Sequence, residues 1–259
     1  MRVAIIGNGW VGKAYQKIFK DAYIYDEPLK IGTREEVNKC DLALVATPTN
    51  GLSNGCLDMS IVEDVVSWLE TPLILIKSAL MPGTTDYLKK KYNKHIVVSV
   101  EMVGEGKYFI PYWKYPHPEN PSYHDFLIIG GDKKDTSLAK DFLWEKMSPD
   151  INIHQLTAIE AEICKLMENT WGALKVTFAN EMYNICKAWE ADYSEVLQAW
   201  GADGRTEKMH MRVIPWKRGW KSKCWDKDIP ALLACAKEKG YQSDFIQELI
   251  NTNKKHLGK

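Results

Sequence analysis

Residues 2–12 read RVAIIGNGWVG, and the reading of that stretch decides the fold. A short apolar run is followed at once by Gly7, Gly9 and Gly12 in the spacing GxGxxG. A strand that enters a helix through this spacing is the turn of a dinucleotide-binding unit. The first glycine permits a tight turn, the second lets a pyrophosphate approach the backbone, and the third lets helix and strand pack closely. The helix start then offers free N–H groups to phosphate oxygens. Asp26 ends the next apolar run, AYIYD, 19 residues after Gly7. A carboxylate there accepts hydrogen bonds from ribose hydroxyls and repels a 2′-phosphate, so NAD is expected rather than NADP. The plain alternative is a tight strand-to-helix turn that holds no ligand.

Outward from this turn, apolar runs alternate with amphipathic stretches up to about residue 155. The runs are RVAIIG, AYIYD, DLALVAT, PLILIK, HIVVSV, DFLIIGG and INIHQL. The stretches lie at 11–20, 59–69, 83–92 and 134–146. Continuous apolar strands between helices predict an α/β domain of Rossmann type, a doubly wound parallel sheet covered on both faces. Residues 104–125, rich in proline and aromatic side chains, interrupt the rhythm and predict a long functional loop. After Leu156 the pattern changes. Residues 157–190 hold no proline and one glycine, and apolar positions recur at helical spacing. One long helix is expected there, then shorter ones near 192–200, 228–240 and 243–255. The expected division is therefore residues 1–155, an NAD-binding domain, and 156–259, a mostly helical domain. Its long, partly apolar helix is a place for homodimer contacts.

Composition narrows the function classes. Lys plus Arg and Asp plus Glu number 34 each, for a formal net charge of zero, which gives no general attraction to nucleic acid or an anionic membrane. No segment has the run of about 18 apolar residues that spans a bilayer. The sequence begins directly with a strand and no signal peptide is read, so a cytoplasmic location is expected. The six cysteines are scattered without a CxxC pair, which predicts neither a metal cluster nor a disulfide framework.

Further stretches carry chemistry. ATPTN (46–50) and KSALMPGTT (77–85) each follow a strand, on the edge where ligands collect in open sheets. Lys165 and Asn169 in AEICKLMENTWGALKVTFANE (161–181) stand one helical turn apart and can converge on one oxygen. Such a cation and amide donor stabilise an alkoxide or a tetrahedral oxyanion. In RGWKSKCWDKD (218–228), Cys224 lies among Lys221, Lys223 and Lys227, and positive charge favours the reactive thiolate. The competing readings are a solvated helix face and an inert thiol.

Taken in order with GNGWVG and SVEMVGEG (99–106), these motifs resemble the UDP-glucose/GDP-mannose dehydrogenase family over almost the whole chain. The resemblance implies an NAD-dependent, four-electron oxidation of a sugar primary alcohol to a carboxylate through a cysteine thiohemiacetal and thioester. It implies Cys224 as nucleophile, Lys165 and Asn169 as the pair binding the reacting oxygen, and Asp228 near the attacking water. Glu101 and Glu105 fall on the family's loop carboxylates, one associated with hydrolysis and the other with cofactor. Cofactor contacts are expected from Gly7, Gly9, Trp10, Val11, Gly12, Asp26, Thr49, Ser78, Glu105 and Lys227. Substrate contacts are expected from Arg205, Glu101, Lys165 and Asn169.

Three departures stand out. Ala79 occupies the place of a usual threonine that helps hold the reaction water. The glycine-rich approach to the cysteine is here GWKSKC. A compact form is also expected, one lacking the family's C-terminal nucleotide-sugar-binding domain. The substrate is accordingly read as a nucleotide sugar or a smaller sugar or sugar phosphate. The alternatives are a single two-electron hydroxy-acid or sugar-phosphate dehydrogenase and a non-catalytic NAD-binding homologue.

Overall fold

The computed structural model describes residues 2–104, 119–144, 146–147 and 151–258. Most of the expected loop at 104–125, with Glu105 in it, lies outside the described residues. The chain divides into two compact units. One comprises Met1–Asn50 and Leu57–Lys165, the other Gly51–Cys56 and Leu166–Lys259.

The first unit is built on a seven-stranded sheet. Its strands are β1 (Val3–Ile6), β2 (Tyr23–Tyr25), β3 (Leu42–Val45), β4 (Leu73–Ile76), β5 (Ile96–Val98), β6 (Phe126–Gly130) and β7 (Asn152–Leu156). They lie in the order β2-β1-β3-β4-β5-β6-β7. The first five are parallel and in continuous register, Val3 beside Leu42 and Leu42 beside Leu73, for example. β6 then runs antiparallel to β5 at Val98–Gly130, and β7 is parallel to β6. The expected parallel sheet thus has one antiparallel junction. Apolar runs buried on both faces read the same in either direction, so sequence pattern does not report strand sense.

Alternation along each strand sends side chains to two cores. Ala4, Ile6, Ala43, Val45, Ile74 and Ile76 pack on one face with helices α3 (Ser60–Trp68) and α4 (Thr84–Tyr92). Val3, Ile5, Leu42, Leu44, Leu73 and Leu75 pack on the other, against α1 (Trp10–Gln16) and α5 (Lys133–Trp144). A four-residue helix, α2 (Arg34–Val37), precedes β3; it is too short to show a periodicity in sequence and is capped by Thr33.

The expected long helix is α6 (Ala158–Ala188), 31 residues, and it runs through the division between the units. The second unit adds α7 (Tyr193–Trp200), α8 (Trp225–Glu238) and α9 (Asp244–His256). Its apolar interior is modest. Ala173, Trp220 and Ile229 form one cluster, and Ala179, Cys186, Tyr193 and Met211 another. α8 begins three residues earlier than its apolar pattern suggests, with Cys224 as its N-cap residue and Ser222 bonded to its first turn. The Ser222 hydroxyl accepts the Trp225 N–H at 3.0 Å, and the Asp226 carboxylate accepts the Ser222 N–H at 3.3 Å. Such reciprocal capping satisfies donors that a helix start otherwise leaves open. No helix among the described residues is long and apolar enough to cross a membrane.

Leu44 is fully buried in the middle of the sheet. Leu44→Ala is expected to destabilise the protein by about 2–5 kcal/mol, through lost transfer energy and a residual cavity, read from urea unfolding.

Candidate functional site

Parallel strands end on one edge, and the first unit collects its polar side chains there. The turn after β1 shows why glycine is required. Gly7 has φ +99°, and a Cβ on it would stand 2.5 Å from the Ala46 carbonyl oxygen. A Cβ on Gly12 would stand 1.9 Å from the Gly7 carbonyl oxygen, so α1 rests directly on the turn. Gly9 is different: nothing lies within 4 Å of its Cβ position. That is open space beside backbone, the condition under which a pyrophosphate can approach.

Asp26 stands at the tip of β2 and accepts the Asn8 N–H at 2.8 Å and the Leu29 N–H at 3.0 Å. The carboxylate is thereby held beside the glycine turn. Trp10 is partly exposed and its indole N–H donates to the Gly104 carbonyl at 2.9 Å, while Val11 packs on the core beneath. After β3, Thr49 is buried and the Thr47 hydroxyl is buried without a hydrogen-bond partner among the described residues. Ser78, after β4, donates to the Thr47 carbonyl at 2.6 Å. The open Gly9, the aimed Asp26 and the orphaned Thr47 hydroxyl all fit a dinucleotide on this edge, between the ends of β1 and β3 where the strand order reverses.

Glu101 follows β5 and is buried. Its Oε1 accepts the Val103 N–H at 2.7 Å, and its Oε2 lies 3.6 Å from Lys77 Nζ. Lys77, Ser99 and Tyr15 around it are not among the residues that sequence reasoning singles out. A signal exists for Lys77, a single charge closing the apolar run PLILIK, but a strand-end lysine is ordinarily solvated.

α6 carries the expected pair. Glu162 of AExxK is almost fully buried and serves structure: its carboxylate accepts the Gly83 N–H at 2.6 Å, the Thr85 N–H at 2.9 Å and the Thr85 hydroxyl at 2.7 Å. It thereby caps α4, whose own N-cap, Gly83, has no side chain. Burial raises its pKa above the usual carboxylate range, and these donors offset that only in part. Lys165 is half-buried with Nζ 3.9 Å from the Met102 sulfur. One turn on, buried Asn169 donates to Asp228 Oδ2 at 2.6 Å.

In the second unit, Asp228 is in the first turn of α8 and 1% exposed. Besides Asn169 it accepts from Lys227 Nζ at 2.6 Å, and its N–H donates to the Cys224 carbonyl at 2.9 Å. Cys224 is the N-cap residue of α8, so it stands one turn before Asp228 at the positive end of the helix. Gly51 lies close on Lys227; a Cβ there would be 3.1 Å from Lys227 Cβ.

The WKSK approach to Cys224 is firmly anchored. Trp220 is buried, exchanges two backbone hydrogen bonds with the Asn253 amide and donates its indole N–H to Thr177 at 3.0 Å. Arg218 reaches back to Asn180 and Asn184 on α6 and lies over the Tyr183 ring. Lys221 and Lys223 are exposed. Arg212, Lys217 and Lys221 line a cavity of about 580 Å³ with Val213, Trp220 and Trp225. Arg205 is highly exposed and held by Asp203; its described partner is that aspartate and none of the site side chains. Among the described residues no group of three or more His, Cys, Asp or Glu could hold a metal ion.

Residues 159–255 match the UDP-glucose/GDP-mannose dehydrogenase family, central domain. Over 239 residues the chain is 26% identical to UDP-glucose 6-dehydrogenase AglM of Haloferax volcanii, covering 85% of this chain and 53% of that protein. The chain is similar to the UDP-glucose/GDP-mannose dehydrogenase family over residues 159–255 and to curated members over most of its length. It is also similar to the GDP-mannose 6-dehydrogenase of Pseudomonas aeruginosa, 24% identical over 243 residues, covering 87% of this chain and 53% of that one. The chain thus spans about half the length of the curated relatives it matches. Among solved structures, a UDP-glucose dehydrogenase from Pyrobaculum islandicum shares the fold with a TM-score of 0.82, at 20% identity, covering 98% of this chain and 68% of that one. A UDP-D-ManNAc dehydrogenase from Pyrococcus horikoshii does so with a TM-score of 0.78, at 21% identity, covering 99% and 69%.

Asn169→Ala removes one of two donors from a buried carboxylate. It is expected to destabilise the protein by about 1–3 kcal/mol in chemical denaturation, while a surface substitution such as Lys223→Ala changes little.

Proposed function

We propose that this protein oxidises the primary alcohol of a sugar, carried on a nucleotide, to the carboxylate, using NAD and a covalent bond to Cys224. The observation that carries this reading is the arrangement in the second unit: Cys224 at the start of α8, Asp228 one turn behind it, and Asn169 bound to that aspartate. The names of the curated relatives supply the substrate class.

Each residue has a role that its surroundings suit. Gly7, Gly9, Gly12, Asp26, Thr49 and Ser78 would hold the dinucleotide, with Trp10 and Val11 beside them, and Glu105 and Lys227 are kept as further contacts. Bound there, NAD supplies the hydride acceptor for both two-electron steps. Lys165 and Asn169 bind the reacting oxygen and stabilise its developing negative charge. Cys224, as thiolate, adds to the aldehyde carbon to give a thiohemiacetal, whose oxidation leaves a thioester. Water then attacks the thioester carbonyl, releasing the acid and the thiol. Asp228, fixed by Asn169 and Lys227, is suited to orient that water and take its proton, and the family resemblance implies such a role for Glu101. Phosphates of the substrate find positive charge in the cavity lined by Arg212, Lys217 and Lys221, and Arg205 is kept as a substrate contact made from a partner subunit.

That partner is a second copy. Along α6, Ile163, Met167, Trp171, Phe178 and Ile185 are exposed, as is Trp189 just past its end, a stripe a homodimer would cover. No disulfide joins any of the six cysteines, which suits a reducing cytoplasm.

Incubation with NAD and a panel of nucleotide sugars and sugar phosphates is expected to yield two NADH per acid formed. Cys224→Ala should abolish acid formation while cofactor affinity is retained. One NADH per product with an insensitive cysteine would instead indicate the single two-electron oxidation, and cofactor binding without turnover the non-catalytic homologue. Met167→Glu is expected to shift sedimentation from dimer to monomer, and a monomeric wild type would exclude the homodimer.

A further inference from the structure

β4 delivers Lys77 to the carboxyl edge of the sheet. Its N–H donates to the Val45 carbonyl at 2.8 Å, while its side chain runs inward with no exposed surface. A methionine would fill that volume without taking a charge out of water. The ammonium is instead caged. Nζ donates to Ser99 Oγ at 2.8 Å, whose own hydrogen goes to the Ile128 carbonyl at 3.0 Å. Glu101 Oε2 lies 3.6 Å away and the centroid of the Tyr15 ring 4.4 Å away. On Glu101, Oε1 is occupied by the Val103 N–H, whereas Oε2 is buried with no hydrogen-bond donor among the described residues.

We propose that Lys77 is a positioning residue for the proposed oxidation: its ammonium holds the Glu101 side chain in place with Oε2 clear to accept a proton or hydrogen bond. The inference rests on the reading of Glu101 as a site residue. The geometry separates two jobs that a hydrogen-bonded partner would confuse. At 3.6 Å the ammonium is near enough to stabilise the charge and too far to occupy the lone pair. Ser99 and the Tyr15 ring hold the lysine at that distance.

Glu101 and Tyr15 are the titratable groups that face Lys77. Burial pulls Lys77 down to about 8, with Glu101 pulling the other way. Burial and then Glu101 push the Tyr15 phenol well above its usual value. Lys77 therefore carries its charge at neutral pH and gives it up as the pH rises past about 8, while Tyr15 stays neutral.

The test is a double-mutant cycle of Lys77→Met, Glu101→Gln and both, read in urea unfolding and in turnover. Lys77→Met is expected to lower the unfolding free energy by an amount equal to at least about tenfold in the equilibrium constant, since it strands a buried carboxylate. Adding Glu101→Gln should return most of that loss, because a neutral amide needs no counter-charge. Turnover should not return. Lys77→Met should lower kcat about tenfold or more with KM little changed, and the double variant should be no slower than Glu101→Gln alone. The wild-type fall in kcat as the pH passes about 8 should be missing from Lys77→Met. Additive losses in either readout overturn the proposal. If Lys77→Met does not fold, folding of the double variant is the same rescue, and its failure to fold overturns the proposal. The unfolding cycle needs no substrate, so absence of turnover in the wild type would defeat the oxidation reading while the Lys77–Glu101 coupling is decided separately.

Discussion

A carboxylate withdrawn from water must be met by donors, and α6 is arranged around that requirement twice. Near its start, Glu162 takes three donors from the beginning of α4, where Gly83 in a left-handed conformation leaves the helix without a capping side chain. Two turns later, Asn169 gives its amide to Asp228 on α8. Lys165 lies between these two anchors, so its place on the helix face is set by bonds that neither donate to nor accept from it. A 31-residue helix of modest amphipathicity owes its position to such contacts more than to its own propensity.

The sheet imposes a second constraint. Because the first five strands are parallel, every one of them ends on the same edge, and residues far apart in sequence arrive together: the glycine turn, Asp26, Thr47, Ser78 and Glu101. Close backbone packing sharpens this edge, since Gly7 and Gly12 leave no room for a side chain while Gly9 faces open space. Lys77 fits the same logic. Its charge is tolerated in the interior because a carboxylate, a hydroxyl and an aromatic face surround it.

WKSK, where the family resemblance implies a glycine-rich approach to the cysteine, takes on a definite meaning. Trp220 is a buried anchor bonded to Asn253 and Thr177, and the Ser222 hydroxyl accepts the Trp225 N–H at the start of α8. Two of the four residues therefore stabilise the segment that presents Cys224, and Lys221 and Lys223 project to solvent. Of the three lysines that surround Cys224 in sequence, Lys227 is bound to Asp228, so nearness along the chain overstates how much positive charge the three share. Arg205, similarly, is held by its near neighbour Asp203.

By itself the sequence determined the seven strands, the glycine turn with its paired aspartate, the long helix and the helical character of the second unit. Each of these is written in local periodicity or in a residue's own conformational range. Only the tertiary structure decided the sense of β6 against β5, the start of α8 at Trp225, the service of Glu162 as a cap and the burial of Lys77 beside Glu101. These depend on which polar groups lose water together. That is a property of distant residues brought into contact, and no window of sequence contains it.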